Sequence, residues 1–370
     1  MEKTVLNERH RALGAKMVEF SGWEMPLSYE RGILAEHREV RERAGIFDLS
    51  HMGKIDITGP AAEKFLDYLS TNRILRKPDN SATYTVWMHE VGGSVDDLII
   101  YRHDAEHFFV IVNAANRQKD LDHLQRQALN WDVKILPRFA EEGILAIQGP
   151  QTTAVVSSLF PQAQFLKSMH FQQVTFENIS AILAATGYTG AGGVELIVPL
   201  GHLPALWDYF VVQQKVMPVG LGARDTLRLE MGYALYGHEL SDTISPSESV
   251  SAWTIKMTKE DFLGKTALQQ LEQSGRKRFA YGIQLLSPGI AREGCPVFYQ
   301  DQPIGTVTSG TFSPSLNCGI ALLLVNQPLQ EGEQVFVTVR NQMLPAHIVK
   351  LPFINSCSIK NLSKAFKERS

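Results

Sequence analysis

The segment Gly92-Gly93-Ser94-Val95-Asp96-Asp97-Leu98-Ile99-Ile100-Tyr101 joins a glycine turn to an apolar run, with two adjacent carboxylates between them. Leu98 to Tyr101 is rich in branched and aromatic residues, which is typical of a β-strand. Because successive side chains of a strand point to opposite faces, Asp96 and Asp97 cannot both face one pocket. We expect one of them to face solvent or a turn amide. The other can lie in a partly dry site as an ion-pair partner or as an acid/base or orienting group, although two aspartates after two glycines are also typical of a plain turn.

The sequence around this segment predicts an α+β unit. Tyr84 to Met88 is a short strand candidate that leads into the turn, and His107 to Val112 is a second strand candidate. We predict Asn116 as the N-cap of a helix that runs to about Leu129. Earlier in the chain, helices are predicted at Ile33 to Ala44 and at Pro60 to Leu69. His51 is isolated, and we expect a hydrogen-bonded structural histidine rather than a ligand.

Two later segments contribute further polar side chains. Thr186 to Glu195 is rich in glycine, but no Lys-Ser or Lys-Thr closes it as in a phosphate loop. We therefore expect its glycines to allow the backbone to approach a flat ligand. Leu221 to Gly237 predicts a helix on which Arg224 and Arg228 share a face, and solvated salt bridges are the alternative use of these arginines.

The C-terminal part of the chain has a different pattern. From Phe279 to Lys350, short strand candidates recur at regular spacing, which indicates a β-barrel or a sandwich. Residues after Phe353 are polar and basic, and we predict a loose tail.

Composition limits the class of protein. The chain has 370 residues, of which 44% are hydrophobic and 20% charged, so it is long enough for two or three domains. A net charge of −3 argues against a general nucleic-acid binder. The cysteines Cys295, Cys318 and Cys357 are far apart, so we expect neither a zinc site nor a disulfide framework. Because no apolar signal segment or run of about 20 apolar residues is present, we expect a cytoplasmic protein without a membrane anchor.

The candidate site residues suggest a class of ligand. The candidate site has five residues. They are a carboxylate at a strand start (Asp97), an amide after the next strand (Asn113), Tyr188 and Glu195 of the glycine-rich loop, and Arg224. Without a metal or phosphate motif, they suit a flat organic cofactor with polar edges and acid groups. A pterin ring offers an N–H and an amino group on one edge, which a carboxylate accepts in parallel, and its glutamate tail suits Arg or Lys.

Nearly the whole chain, from about Leu6 to Phe353, resembles the aminomethyltransferases of the glycine cleavage system, the T-protein family. The motifs that carry this resemblance occur in one order along the chain: Leu13-Gly14-Ala15-Lys16-Met17, Gly22-Trp23-Glu24-Met25-Pro26, Ser50-His51-Met52-Gly53, Asp96-Asp97-Leu98-Ile99, Val112-Asn113-Ala114-Ala115-Asn116, Gln148-Gly149-Pro150, Gly187-Tyr188-Thr189-Gly190, Gly222-Ala223-Arg224-Asp225-Thr226 and Thr308-Ser309-Gly310-Thr311-Phe312.

The resemblance implies an α+β fold of three domains, a cloverleaf around a central folate channel with a C-terminal β-barrel. The implied first domain is split into residues 1–50 and 141–272, and residues 51–140 form an inserted α+β domain. The barrel covers residues 276–353, and residues 354–370 form the predicted loose tail.

The resemblance also implies a reaction and its residues. An aminomethyl group on the dihydrolipoyl arm of a lipoylated H-protein passes to tetrahydrofolate, giving 5,10-methylenetetrahydrofolate and ammonia, and no metal is expected. Asp97 matches the functional aspartate of the family, and its implied role is to orient and polarise the reacting nitrogens of the folate. Positions that bind folate or line its pocket in the family match Met52, Tyr84, Asn113, Tyr188, Glu195 and Arg224, with Glu195 at the pterin edge.

The sequence departs from the family at Ala191 and Val194, where an acidic and an aromatic residue are usual, so we expect the loop to hold its ligand less firmly. One alternative is a related enzyme that demethylates another one-carbon donor onto tetrahydrofolate. A second is a non-catalytic folate-binding scaffold of the kind used in iron–sulfur protein maturation. The Lys-Gly-Cys-Tyr-x-Gly-Gln-Glu segment of those scaffolds is absent here, which argues against the second alternative.

Overall fold

The two adjacent aspartates lie within a five-stranded antiparallel sheet in the computed structural model, which describes residues 1–176 and 179–354. Across the sheet, the strands are Ser81–Met88, Ser94–Arg102, His107–Val112, Gly53–Thr58 and Lys134–Pro137. The strand begins at Ser94, before the predicted Leu98, because Trp87 and Val86 of its neighbour pair with Asp96 and Asp97. The interpretation of these aspartates as plain turn residues is therefore wrong.

The two faces of this sheet pack against different layers. The helices Ala62–Leu69 and Arg117–Gln127 cover one face, and Leu98 and Ile100 lie in the core on that side. The other face meets a second sheet, and Tyr101 lies in the core between the two sheets. Alternate side chains of one strand therefore reach either the helices or the second sheet.

The second sheet has six strands, in the order Phe171–Phe176, Ile179–Ala184, Gly193–Pro199, Glu142–Gln148, Gly45–Asp48 and Met217–Pro218. Gly45–Asp48 precedes the five-stranded sheet in the chain and Glu142–Gln148 follows it, yet these two strands pair directly. The chain therefore leaves the six-stranded sheet, builds the five-stranded sheet and returns. The domain boundaries that the family resemblance implies, at residues 50, 140 and 272, stay a prediction.

A small three-stranded sheet and several helices flank these two sheets. The small sheet contains Glu2–Lys3, Trp23–Ser28 and Lys16–Phe20, in that order. The other α-helices of the described chain are Asn7–Ala12, Gly32–Glu42, Thr152–Val156, Leu203–Asp208, Leu221–Glu230 and Lys265–Gln273. Within the described ranges, no helix is long and apolar enough to cross a membrane.

The helix that carries both arginines ends earlier than predicted. It covers Leu221–Glu230 and does not continue to Gly237. The N–H of Gly232 returns to the carbonyl of Leu229 at 2.8 Å, and Gly232 has a φ of +66°. This left-handed conformation suits glycine and turns the chain away from the helix axis.

The C-terminal strands form a closed barrel, so the alternative of a sandwich is wrong. Around the barrel, they are Phe279–Leu285, Cys318–Val325, Gln302–Ser313, Pro296–Tyr299, Gln334–Val339 and Gln342–Val349. The α+β fold class with a C-terminal barrel is confirmed. Cys295 and Cys318 are free, while Cys357 and the predicted tail, apart from Ile354, lie outside the described residues.

Candidate active site

A cavity of about 120 Å³ lies where the two large sheets meet the helix Leu221–Glu230 and the glycine-rich loop. Every site residue predicted from the sequence lines this cavity: Met52, Tyr84, Asp97, Asn113, Tyr188, Glu195 and Arg224. Asp97 is 8% exposed, and the other six side chains are partly open. The structure thus brings all seven together, although the role of each stays a prediction.

Asp97 is held by neutral donors at one wall of the cavity. The Tyr84 hydroxyl donates to Oδ2 at 3.0 Å, and the Asn113 side-chain amide donates to Oδ1 at 3.1 Å. Burial, followed by the charge of Asp96, raises the pKa of Asp97 to about 7. A carboxylate with such a pKa can exchange a proton near neutral pH.

Asp96 points the other way, as predicted from strand alternation. Its carboxylate accepts the backbone N–H of Asn113 at 3.0 Å and the side-chain amide of Asn116 at 2.6 Å. Asp96 is fully buried, so of its two expected surroundings solvent is excluded, and its carboxylate binds the backbone amide of Asn113 at the start of the turn Ala114–Asn116. Asn116 occupies the predicted N-cap position of the helix Arg117–Gln127, but its side chain makes no cap hydrogen bond, and its NH2 group donates to Asp96.

Tyr84 is itself fixed by residues that the sequence analysis missed. The Tyr84 hydroxyl lies 3.1 Å from Oγ of Ser251, and its ring stacks on Trp253 with 5.7 Å between ring centroids. Trp253 is 60% exposed, which is unusual for so large an apolar side chain. Ser251 and Trp253 lie far from the strands in sequence, and no spacing or motif connects them with Tyr84.

Glu195 lies at another wall, on the strand Gly193–Pro199. Oε2 of Glu195 accepts hydrogen bonds from the Tyr101 hydroxyl at 3.2 Å and from the Thr186 hydroxyl. Burial raises the pKa of Glu195. Because both bonds end on Oε2, Oε1 is available to a ligand in the cavity.

Arg224 and Arg228 do not share a role, although they lie on one helix. The Cζ atom of Arg224 lies 4.6 Å from the centroid of the Tyr188 ring. Its buried Nε has no hydrogen-bond partner within the described chain, and burial lowers its pKa. Arg228 is 2% exposed and donates to Asp225, at 2.8 Å, and to Glu239, at 3.2 Å. Solvated salt bridges are therefore the wrong interpretation of both arginines.

The glycines of the loop serve its own packing. A Cβ on Gly187 would lie 2.0 Å from Oε1 of Gln148, and one on Gly193 would lie 2.4 Å from the carbonyl oxygen of Ile147. Gln148 also accepts the Thr189 hydroxyl at 2.8 Å. These two glycines therefore allow the loop to pack against the strand Glu142–Gln148. Gly187 also lines the cavity, and the predicted approach to a flat ligand stays a prediction.

The two departures from the family motif do not line the cavity. Val194 is 5% exposed and lies in the core with Leu145 and Ile147, because it points away from the face that carries Glu195. Ala191 is partly buried and packs beside another core cluster. The predicted looser hold on a ligand stays a prediction.

His51 differs from its expectation. It is fully buried, and neither ring nitrogen has a hydrogen-bond partner in the described part of the chain. Burial, with the nearby charge of Arg224, lowers the pKa of His51 to about 3, so the ring is neutral. His51 is therefore a buried residue of the protein interior, but the predicted hydrogen bonds are absent.

A larger cavity of about 660 Å³ adjoins the first one, and Tyr188, Arg224 and Leu235 line both. Thr311 and Phe312 of the barrel line its far side. Sites for drug-sized ligands usually have about 300–1,000 Å³. The larger cavity is within this range, and the smaller one is below it. Within residues 1–176 and 179–354, no group of three or more His, Cys, Asp or Glu side chains could hold a metal ion.

Comparison with known proteins gives one consistent result. Residues 6–259 match the model of the GCVT N-terminal domain, and residues 278–355 match that of the glycine cleavage T-protein C-terminal barrel domain. The chain is similar to an aminomethyltransferase of Chlorobaculum tepidum, with 43% identity over 96% of this chain and 99% of the relative. An aminomethyltransferase of Desulfitobacterium hafniense shares 38% identity over 94% of this chain and 97% of its own.

The fold is also similar to a solved structure. The crystal structure of glycine cleavage system aminomethyltransferase T from Bartonella henselae superposes with a TM-score of 0.90 and 32% identity, over 95% of this chain and 98% of that one. The family models and the relatives cover nearly the whole chain. The chain therefore belongs to the aminomethyltransferase family, the T-proteins of the glycine cleavage system.

Proposed function

We propose that this protein transfers the aminomethyl unit from the dihydrolipoyl arm of a lipoylated H-protein to tetrahydrofolate in glycine catabolism. The observation that carries the proposal is Asp97, a buried carboxylate with a pKa of about 7, held by Tyr84 and Asn113 at the wall of a cavity. Glu195 and Arg224 line the same cavity. We propose that the protein acts in the cytoplasm. Its proposed partners are the folate and the H-protein, and it is proposed to bind neither nucleic acid nor a membrane.

The proposed reaction breaks two bonds of the donor and forms two bonds to the folate. The sulfur–carbon and carbon–nitrogen bonds of the aminomethyl group break, and the carbon joins N5 and N10 of tetrahydrofolate. The two protons that leave these nitrogens go to the departing sulfur and to the departing amine. The products are 5,10-methylenetetrahydrofolate, ammonia and the reduced lipoyl arm.

In this proposal, Asp97 accepts a hydrogen bond from a reacting N–H of the folate, which orients that nitrogen and raises its electron density. The Tyr84 hydroxyl and the Asn113 amide keep the carboxylate in place, since each donates to a different oxygen. Glu195 accepts one donor of the pterin edge with Oε1, since its other oxygen already binds the Tyr101 and Thr186 hydroxyls. Arg224 lines both cavities and can therefore meet an anionic group in either.

Single-turnover formation of 5,10-methylenetetrahydrofolate from aminomethyl-loaded H-protein tests the proposal. We expect product in one turnover, with a matched release of ammonia. Tight folate binding without product would contradict it and would favour another one-carbon donor. A control with H-protein that lacks the lipoyl group should give no product.

A further inference from the structure

A third buried carboxyl group lies behind Asp97, on the helix-facing side of the strand. Asp120, in the first turn of the helix Arg117–Gln127, is fully buried. No N–H or O–H donor of the described chain binds either of its carboxyl oxygens. Asp120 lies one helical turn after Asn116, whose side-chain amide donates to Asp96 at 2.6 Å, so its carboxyl group lies beside Asp96, which is also fully buried. Two carboxylates cannot hydrogen-bond to each other unless one of them carries a proton.

Asp96 is the member that is equipped to carry the charge. It accepts the backbone N–H of Asn113 at 3.0 Å, its side-chain amide at 2.9 Å and the amide of Asn116 at 2.6 Å. Hydrogen bonds of this kind favour the ionised form of a carboxyl group. Because Asp120 has none of them, the proton belongs on Asp120.

The pair is linked to the candidate active site through one side chain. The Asn113 amide that donates to Asp96 also lies 3.1 Å from Oδ1 of Asp97 and 2.9 Å from its backbone oxygen. We propose that Asp120 is protonated near neutral pH, donates to Asp96 and, through Asp96 and Asn113, positions Asp97. This positioning role rests on the proposed function, whereas the protonation state does not.

The groups around Asp120 act in both directions. Its place in the first turn of a helix and the nearby Lys119 favour the ionised form. Burial and the charge of Asp96 oppose it and raise the pKa of Asp120 well above its usual range, with Asp97 adding to this effect. Tyr236 also faces the pair, and burial raises the pKa of its phenol, so it adds no charge. Since desolvation of a buried charge outweighs the effect of one helix terminus, the neutral form prevails.

Infrared spectroscopy tests the protonation state without any turnover. In mildly alkaline solution, where Asp97 is ionised, the difference spectrum of wild type minus Asp120→Asn should contain the C=O stretching band of a carboxylic acid. The substitution keeps the shape of the side chain and supplies a permanent donor to Asp96. A difference spectrum without this band would overturn the proposal.

The pH dependence of single turnover tests the positioning role. In Asp120→Asn, the pH at which the rate constant reaches half of its plateau should equal that of the wild type. The reason is that a neutral amide donor replaces a neutral carboxylic acid donor. Asp120→Ala should raise this midpoint by on the order of one pH unit, because Asp96 keeps its three N–H donors and stays ionised, and without the Asp120 proton its charge acts more strongly on Asp97. A downward shift in Asp120→Asn would show that Asp120 carries a charge, and an unchanged Asp120→Ala would remove its link to Asp97.

If no aminomethyl transfer occurs, the same midpoints are read from the ¹³C carboxyl resonance of Asp97, identified as the signal that Asp97→Asn removes. If the proposed function fails, the midpoints of Asp120→Asn and Asp120→Ala can therefore still support or contradict the proposal on Asp120. If Asp120→Ala does not fold, the infrared spectrum and the titration of Asp120→Asn still decide.

Discussion

Glu230 and Glu195 are both interior carboxylates, but their partners differ. Oε2 of Glu230 accepts hydrogen bonds from Nε of Arg41 at 3.0 Å and from Nη2 of Arg41 at 2.8 Å. Oε1 accepts a hydrogen bond from the Ser313 hydroxyl at 2.5 Å. Burial opposes ionisation, but hydrogen bonds from His37 and Ser313 and the charge of Arg41 lower the pKa of Glu230 to about 2. Glu230 thereby connects the helix Gly32–Glu42, its own helix and the barrel.

Among the described residues, the donors to the Glu195 carboxylate are the hydroxyls of Thr186 and Tyr101, and burial raises the pKa of Glu195. Asp97 is similar, because the donors on its side chain are a phenol and an amide. Neither carboxylate has a salt bridge within the described chain. In this comparison Glu230, which has charged partners, holds elements together, whereas Glu195 and Asp97, which have none, line the cavity and remain available to a ligand.

Asp97→Asn should cause the largest effect, a loss of about 10²–10⁴ in the single-turnover rate constant. The amide keeps the size of the side chain, but it has no charge and has only one acceptor oxygen, because an NH2 group replaces the other oxygen. Folate binding, measured by calorimetry, should persist. Equal rates in both proteins would remove Asp97 from the chemistry.

Stability gives the control for this variant. The folded pKa of Asp97, about 7, is above its ordinary value, so the ionised form lowers stability progressively as the pH rises from about 4 to 7. Asp97→Asn should therefore be at least as stable as the wild type at neutral pH. A strongly destabilised variant would indicate a structural role.

Glu230→Gln should cost about 3–5 kcal/mol in the free energy of unfolding, because it leaves Arg41 buried without its counter-charge. The matched variant Glu195→Gln should change stability by less than about 1 kcal/mol. Urea denaturation at neutral pH measures both. Equal losses in the two variants would contradict the comparison.

The pH dependence of stability sharpens this prediction. Because the folded pKa of Glu230 is lowered to about 2, its contribution is complete above its ordinary pKa and is lost as the pH falls towards that value. The difference between wild type and Glu230→Gln should therefore shrink in acid. A difference that grows in acid would show the opposite shift.

Arg224→Gln should weaken folate binding by roughly tenfold, the size of one charge-assisted hydrogen bond, with little change in stability. Its Nε has no hydrogen-bond partner among the described residues, so the substitution breaks no hydrogen bond there. The matched variant Arg228→Gln should instead lower stability, because it breaks the buried contact with Glu239. Unchanged folate affinity in Arg224→Gln would exclude this arginine from the site.

Ala191→Asp, which restores the residue usual in the family, should have the smallest effect. Ala191 does not line the cavity, so folate affinity should change by less than about threefold. A fluorescence titration of both proteins decides. A large gain in affinity would show that the loop controls the ligand from a distance.

The sequence allowed much of the fold and the membership of the site to be predicted. Strand alternation placed Asp96 and Asp97 on opposite faces. Regular strand spacing indicated a C-terminal barrel or sandwich, and the family resemblance implied the barrel that is present. Local patterns were less informative about ends: the arginine helix stops at Glu230, because the chain turns at Gly232. A window of neighbouring residues contains no information about such a tertiary turn.

Side-chain partners were the least predictable feature. Ser251 and Trp253 reach Tyr84 across more than one hundred residues of sequence. Asn116 stands at the N-cap position as predicted, but its side chain binds Asp96 and makes no cap hydrogen bond. His51 was expected to have hydrogen bonds and has none within the described residues. These contacts depend on how sheets and helices meet, and periodicity within one element does not specify that.

The pH profile of the single-turnover rate constant tests the central claim, that a carboxylate without charged partners serves the chemistry. The rate constant should rise with pH through about 7 and reach a plateau, because the ionised Asp97 is the active form. In Asp97→Asn, the residual rate should lack this transition. A wild-type profile that is flat between about pH 6 and 8, or the same transition in Asp97→Asn, would contradict the account.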